Sequence, residues 1–396
     1  MPPADRAQIR LRIRTLSPEF NPVLSRSSTD LMDHARVGWV QEGGFKMRKT
    51  QCRIGMALAC LLVLGACSRE PSASANIDPA RLAVFAPLVA TTAPGDRSLN
   101  KDAIALGRML YYDPRLSKSQ KISCNTCHTL TEYGVDHQAT SSGHNGQKGD
   151  RNSPTVYNAA VHFVQFWDGR APDVEEQAKG PVLNPVEMAM PSEKQVIAVL
   201  KSMPEYVAAF KKAFPDQKDP VTYDNMGKAI GAFERKLTTP ARWDQFLKGD
   251  QNALTTAEKA GFNEFTNAGC PTCHAGGLLG GNMFQKAGVA KPWWDTTDSG
   301  RYKVTKNETD KFVFKVPSLR NIEKTAPYFH DGKTATLREA IAKMGEYQVG
   351  RTLTDAQIQS IQIWMASLTG EIPADYIREP VLPKSTSRTP KPSEAD

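Results

Sequence analysis

Cys124-Asn-Thr-Cys127-His128 and Cys270-Pro-Thr-Cys273-His274 are the two stretches on which the fold turns. Each is a Cys-X-X-Cys-His motif, the attachment signature of c-type haem. Two cysteines one helical turn apart can add across the two vinyl groups of a haem as thioethers. The histidine that follows reaches the iron from the same side. His128 and His274 are therefore expected as proximal ligands, and Cys124, Cys127, Cys270 and Cys273 as attachment points for two covalently bound haem c groups. The motifs lie 146 residues apart, each after a helical pattern and before a Gly-containing loop, a weak internal repeat. A haem is a large apolar plate around which a small helical domain can build its core. The expected fold is thus mainly α, with two cytochrome c-like haem domains in tandem, long loops and little β structure.

The flanking sequence supports helices. Asn100 to Leu110 reads as one. Ser192-Glu-Lys-Gln195 resembles a capping box opening a helix to Met203, and Thr255-Thr-Ala-Glu258 resembles another leading to the second motif. Met226, Ile230, Phe233 and Leu237 form a helical stripe within Tyr223 to Leu237, and Ile358, Ile361, Trp364, Met365 and Leu368 form one within Thr354 to Leu368. No Val/Ile-rich alternation is strong enough for a substantial sheet. The charge run from Lys315 to Lys324 reads as solvated surface.

The chain has 396 residues, enough for two or three domains, and an ordinary hydrophobic fraction of 40%. Of its seven cysteines, the three outside the motifs (Cys52, Cys60 and Cys67) lie near the N-terminus. Residues 47–66 read as a signal peptide. Arg48, Lys49 and Arg53 precede an apolar run from Ile54 to Ala66, too short for an ordinary transmembrane helix. Leu64-Gly65-Ala66-Cys67 resembles a lipobox, with cleavage before Cys67 and lipid on that residue; a plain secretory signal is the other reading. Ser68 after the cysteine favours the outer membrane. Either reading places the protein in the periplasm, with membrane contact only through the anchor. Residues 1–46 then sit awkwardly ahead of a signal, so Met47 is the expected start and 1–46 an untranslated or disordered extension. Residues 1–66 carry ten Lys+Arg and five Asp+Glu, so the net charge of +8 falls to +3 for the remainder. Haem propionates would bring this near zero, and no basic run supports nucleic-acid binding.

The sixth ligands are not set by spacing. His137, His144, His162 and His330 are the other histidines after residue 66, and Met188, Met190, Met283 and Met344 are methionine candidates. Methionine ligation raises haem potential.

Further motifs carry a resemblance. Leu106-Gly-Arg-Met-Leu-Tyr-Tyr-Asp113, Gly143-His-Asn-Gly146, Arg151-Asn-Ser-Pro-Thr155, Gln165-Phe-Trp-Asp-Gly-Arg170, Gln177-Ala-Lys-Gly-Pro181, Glu187-Met188, Val316-Pro-Ser-Leu-Arg-Asn321, Ala326-Pro-Tyr-Phe-His-Asp-Gly332 and Tyr347-Gln-Val-Gly350 occur in order. Across roughly residues 85–375 the chain resembles the bacterial dihaem cytochrome c peroxidase family. The resemblance implies that His144 caps the N-terminal haem in the resting oxidised state and that Trp167 lies between the haems. It makes Glu187 and Gln177 the polar pair on the distal face of the N-terminal haem. A carboxylate there can take and return a proton during peroxide cleavage, whereas a glutamine can orient peroxide but cannot shuttle a proton. Met344 is implied as axial ligand of the C-terminal haem, with Met283 the runner-up, and His330 as a hydrogen-bond donor near that haem's propionates. Asn152, Thr325 and Pro327 match a calcium site between the domains, partly through carbonyl oxygens.

The implied function is reduction of hydrogen peroxide to water by a cytochrome-c peroxidase, with electrons from a small periplasmic cytochrome c or cupredoxin, in a homodimer. The alternatives are a dihaem oxidase of a protein substrate, of the tryptophylquinone-forming type, in which a tyrosine such as Tyr347 ligates the iron, and a non-catalytic dihaem electron carrier. The expected divisions are a tether over 67–84, an N-terminal peroxidatic domain over 85–245, a C-terminal electron-transfer domain over 246–375 and a disordered tail over 376–396.

Overall fold

Helices are opened where side chains can satisfy their first backbone N–H groups. In the computed structural model, which describes residues 76–89 and 100–394, Asn100 caps helix α1 (Lys101–Tyr112) and Asp173 caps α2 (Val174–Leu183). Ser192 caps α3 (Glu193–Lys201) by accepting from the Gln195 amide, after which Met203 starts α4 (Pro204–Ala213). Thr222 caps α5 (Tyr223–Glu234), and a short α6 (Arg242–Leu247) follows. Thr255 and Glu258 complete a reciprocal capping box on α7 (Thr256–Ala268); Thr354 and Gln357 do the same on α9 (Asp355–Met365). Between them lies α8 (Leu337–Lys343). The described β structure with a ladder is one antiparallel pair, β1 (Phe284–Lys286) and β2 (Val313–Lys315), with Gln285 opposite Phe314. The protein is mainly helical.

The helices bury two apolar cores. The first gathers Leu106, Leu110 and Tyr111 of α1, Val182 of α2, Phe210 of α4 and Met226, Ile230 and Phe233 of α5. The second gathers Trp243, Phe262, Phe265, Ile361 and Trp364, with Phe265 and Trp364 ring centroids 4.4 Å apart. Each core uses the same crossing. Gly107 of α1 lies so close to α5 that an added Cβ would stand 1.8 Å from the Ala229 carbonyl oxygen, and Gly261 of α7 would place one 2.1 Å from that of Ser360 in α9. Each of these helices precedes one Cys-X-X-Cys-His motif, so the repeat seen in the sequence is a repeat of helix packing.

The packing differs from the expected divisions at both ends. Residues expected as tether are engaged, since Ile77 and Leu82 pack on the second core; Phe85, expected in the N-terminal domain, is inside that core too, and Leu88 N donates to Asp244 at 2.6 Å. Trp243 also belongs to that core rather than the first. The tail expected to be disordered instead returns to the first core. Ile377 is buried there, Tyr376 stacks on Phe233 at 5.1 Å, and Thr389 is 6% exposed. Composition predicted disorder because the stretch from Pro383 is poor in apolar residues; Tyr376 and Ile377 anchor the start of the tail, and the remainder is held by hydrogen bonds. The expected signal peptide with Cys67, and residues 1–46, lie outside the described residues. Among the described residues no helix is long and apolar enough to cross a membrane.

Candidate haem centres and the seam between them

The four motif cysteines are half-buried and none is in a disulfide. Burial pushes the thiols of Cys127 and Cys270 up to about 11, and that of Cys124 higher still. A redox or metal-binding cysteine pair needs the opposite shift, toward thiolate. Cys124–Cys127 form one helical turn, which aligns both sulfurs on a face as thioether attachment requires. His274 Nδ1 lies 3.0 Å from the Leu279 carbonyl oxygen, an arrangement that fixes the ring and leaves Nε2 for a metal. His128 Nδ1 is buried without a hydrogen bond of normal geometry, although the Gly134 and Pro154 backbone lie near it. Burial lowers the pKa of both imidazoles, favouring the neutral, ligating form. The residues fit two haem c groups.

In the first half, His144 is 2% exposed and neither ring nitrogen has a hydrogen-bond partner in the protein. A buried imidazole with two unsatisfied nitrogens is costly unless something coordinates it. Its place comes from an irregular loop: His144 N donates to the Glu187 carbonyl at 2.8 Å, and Gly143 N to Gln147 at 2.8 Å. Gly143 admits no side chain, since a Cβ would lie 1.9 Å from the Val186 carbonyl oxygen. One short segment therefore holds both the His144 backbone and the Glu187 side chain. Burial raises the Glu187 carboxyl above its usual 4.5, against the pull of the Arg170 guanidinium and an Asn184 hydrogen bond. Arg170 sits 3.4 Å over the Phe166 ring. Gln177 is half-buried on α2.

In the second half, α8 runs without a break into a widened, π-helical turn, Met344–Val349. Such turns are frequent at functional sites. Met344 and Met283 are both half-buried there and in the strand approach, respectively. Tyr347 instead packs its ring against Trp293 and Trp294, at 5.9 and 5.2 Å. Met188 and Met190 are in the first core.

The seam joins segment 151–170 to segment 298–330. Trp167 Nε1 donates to the Asn152 carbonyl at 2.9 Å, its own carbonyl accepts from Lys315 N at 2.7 Å, and its ring meets His330 edge-on at 6.3 Å. His330 is buried and stacks on Phe314 at 4.0 Å. Arg151 bridges Asp168 and Asp298, both at 2.6 Å. Asn152 also donates from Nδ2 to Gln138 O at 3.0 Å, while His137 Nδ1 lies 3.0 Å from Ala326 O, so the expected calcium positions border one region. Among the described residues no group of three or more His, Cys, Asp or Glu is placed to hold a metal ion. A cation here would rest on neutral oxygens.

Sequence reasoning missed two buried ionic sites in the run it assigned to solvent. Lys315 is 6% exposed and donates to His162 Nδ1 at 3.0 Å, burial pushing its pKa down to about 8. Arg320 makes a bidentate pair with Asp244 at 2.6 and 2.7 Å. Strand alternation gave no signal for Lys315, because the short strand buries Phe314 and Lys315 on both of its faces.

Over residues 101–252 the chain matches the family described as di-haem cytochrome c peroxidase. It is 48% identical over 296 residues to cytochrome c551 peroxidase of Nitrosomonas europaea, covering 74% of this chain and 86% of that protein. It is 32% identical over 291 residues to methylamine utilization protein MauG of Methylorubrum extorquens, covering 72% and 81%. Among solved structures it resembles a MauG-like protein associated with microbial copper homeostasis, with 27% identity, TM-score 0.65, and 74% and 96% of the two chains covered.

Proposed function

The chain belongs to the di-haem cytochrome c peroxidase family, and from that premise we propose how its residues divide the work. The protein is a cytochrome-c peroxidase with two haem c groups. Hydrogen peroxide is the substrate and a cytochrome supplies the electrons; two electrons and two protons convert each peroxide to two waters. Bound haem supplies the redox couple and the place where the O–O bond breaks; every proton and every orientation is the task of side chains.

In this reading His128 and His144 hold the first iron, and His274 and Met344 the second. Electrons enter at the second half, from a small cytochrome c or a cupredoxin, and cross the seam beside Trp167, whose indole is fixed by Asn152. His144 leaves its pocket with its loop, and the vacated space admits peroxide beside Glu187. The Glu187 carboxylate accepts the proton of the attacking peroxide and returns it to the departing oxygen, while Gln177 and Arg170 orient the substrate and balance charge. The observation that carries this reading is the single segment at residues 186–188, which fastens the His144 backbone and also carries the half-buried Glu187 carboxyl. The higher identity to a cytochrome c551 peroxidase than to the methylamine utilization protein favours peroxide reduction over oxidation of a protein substrate. The packing of Tyr347 into the tryptophan pair favours Met344 over Tyr347 as ligand.

His144→Gly tests the gate. The variant is expected to reduce peroxide without prior one-electron reduction, and to show a high-spin first haem in the resting optical and EPR spectra. A variant that still requires pre-reduction, with an unchanged spectrum, removes His144 from this role. Calcium bound by Asn152, Thr325 and Pro327 supports the open, dimeric form in this proposal. Chelation should then slow turnover and shift the sedimenting species toward monomer, and indifference to chelator removes the calcium. Periplasmic location and a lipid anchor at Cys67 complete the proposal; mass spectrometry of the N-terminal peptide from membranes tests both.

A further inference from the structure

We propose that the C-terminal strap, residues 383–394, is a clamp on the loop that carries His144, with Asn145 and Glu394 as positioning residues. The inference rests on the reading of His144 as a ligand that can leave.

The strap lies beyond residues 85–375, where the resemblance to the family runs. Its upstream half is anchored in the first half of the protein. Arg115 donates to the Pro383 carbonyl at 2.8 Å, Thr386 Oγ1 to the Ser202 carbonyl at 2.9 Å, and the Ser202 and Thr389 hydroxyls meet at 2.8 Å in a buried pair. Its downstream half reaches the site. Gln120 donates to the Pro390 carbonyl at 2.8 Å, Ser393 N to the Lys118 carbonyl at 2.9 Å, and Lys121 pairs with the Glu394 carboxylate. The last contact is on the residue next to His144: Asn145 Nδ2 donates to the Glu394 carbonyl at 3.1 Å.

These contacts converge on Glu187. Lys118 N donates to the Met188 carbonyl at 2.8 Å, and His144 N to the Glu187 carbonyl at 2.8 Å. Two loops are thus pinned on either side of one segment, and the strap ties their outer faces together through Lys118 and Asn145. Because the His144 ring makes no hydrogen bond to protein, the protein positions it only through its loop and what fastens that loop. The two contacts of Glu394, with Asn145 and Lys121, are solvent-exposed, unlike the Ser202–Thr389 anchor, so this end can open locally while the anchor holds. The strap therefore biases His144 toward the closed state without sealing it there.

The test uses the oxidised holoenzyme in two forms. One lacks residues 390–396 and keeps the buried Thr389 anchor. The other carries Asn145→Asp, which tolerates the left-handed backbone at this position (φ 53°) but replaces the donor with an acceptor. Hydrogen exchange of amides 143–147 is expected to quicken roughly 5–30-fold, the factor that one or two lost weak contacts carry. A high-spin fraction should also appear in the resting spectrum without reduction. Exchange and spectra matching the full chain in both forms overturn the clamp. His144→Gly, measured alongside, separates the two ideas. If it alters the resting spectrum while the shortened chain does not, the clamp fails and the ligand stands. If it leaves the spectrum unchanged, His144 is not a ligand, and the clamp is judged on exchange alone.

Discussion

The two motifs are approached by matching helices, α1 and α7, each crossed at a glycine by a partner helix. What faces them does not match. The proposed partner of His128, His144, is on an irregular loop fastened by a few main-chain hydrogen bonds and the end of the strap. The proposed partner of His274, Met344, is on the continuation of α8, whose Ala340 and Ile341 are buried and whose widened turn packs Tyr347 against Trp293 and Trp294. Releasing a residue from the loop breaks a handful of bonds. Releasing Met344 means unwinding a helix that is part of the second core. On the proposed ligation, the proximal motif says that a haem is bound, while the secondary structure carrying the proposed second ligand decides how readily that side opens.

The largest effect should come from removing the carboxyl of Glu187, carried by the segment that fastens the His144 backbone. Glu187→Gln keeps the shape, the main-chain hydrogen bond to His144 and both attachment motifs, yet cannot move a proton. We expect a loss of turnover of roughly 10²–10⁴-fold with unchanged haem content and resting spectrum. The pH dependence sharpens this. Burial holds the folded Glu187 carboxyl above 4.5, and the group must be ionised to accept the peroxide proton. In the parent protein kcat/KM should fall as pH drops through that raised value, and the acidic limb should vanish in Glu187→Gln. Undiminished turnover in the variant would erase the chemical distinction between the two sides.

The next effect asks whether the closed side is the more firmly built. Arg320 and Asp244 form a buried bidentate pair in the second half, and the Asp244 carboxylate also accepts from the Leu88 and Ala241 amides, at 2.6 and 2.7 Å. Burial alone would raise Asp244, but the Arg320 guanidinium and the two amides hold it below 3.8. Its stabilisation is therefore present above that value and is lost as pH falls through the folded pKa. Arg320→Met leaves the carboxylate buried beside two amides only, at a cost of roughly 3–5 kcal/mol. Thermal unfolding followed at the second haem's band should move to lower temperature, most clearly at neutral pH, where Asp244 is charged. An unchanged midpoint would mean that the pair is not holding this half together.

Much of this comparison could be read before any coordinates. The attachment motifs, the mainly helical architecture and the caps at Asn100, Thr255 and Thr354 follow from local chemistry, because each depends on residues within a few positions of one another. Lys315, Arg320 and the tail were not legible for the opposite reason. Their partners, His162, Asp244 and Ser202, lie far away in sequence, and a charged or polar run looks solvated until its distant counter-groups are known. His144 sits between these cases. Nothing local marks it as different from His137 or His162, and its singling out depended on the surrounding Gly-His-Asn-Gly motif. The structure gives a physical correlate: its ring is buried with no partner in the protein, whereas His162 is paired with Lys315 and His137 meets the Ala326 carbonyl.

The smallest effect probes how each motif is introduced. The second follows α7, thirteen residues long and opened by the reciprocal Thr255–Glu258 box, while the first sits on a one-turn helix after Ser123. Thr255→Ala removes the hydroxyl that accepts from the Glu258 amide at 3.2 Å and leaves Glu258 paired with Arg242. The expected cost is roughly 0.5–2 kcal/mol, as for other lost N-caps. Because α7 packs on α9 and not on the first core, that cost should fall on the second half. Denaturant unfolding monitored separately at the two haem bands should shift the second midpoint while leaving the first in place. Equal shifts at both bands would show that the halves unfold as one cooperative unit, with the seam at Trp167 and Arg151 transmitting the loss. The asymmetry between the faces would then be a property of the ligand-bearing segments alone and not of the stability of the halves that carry them.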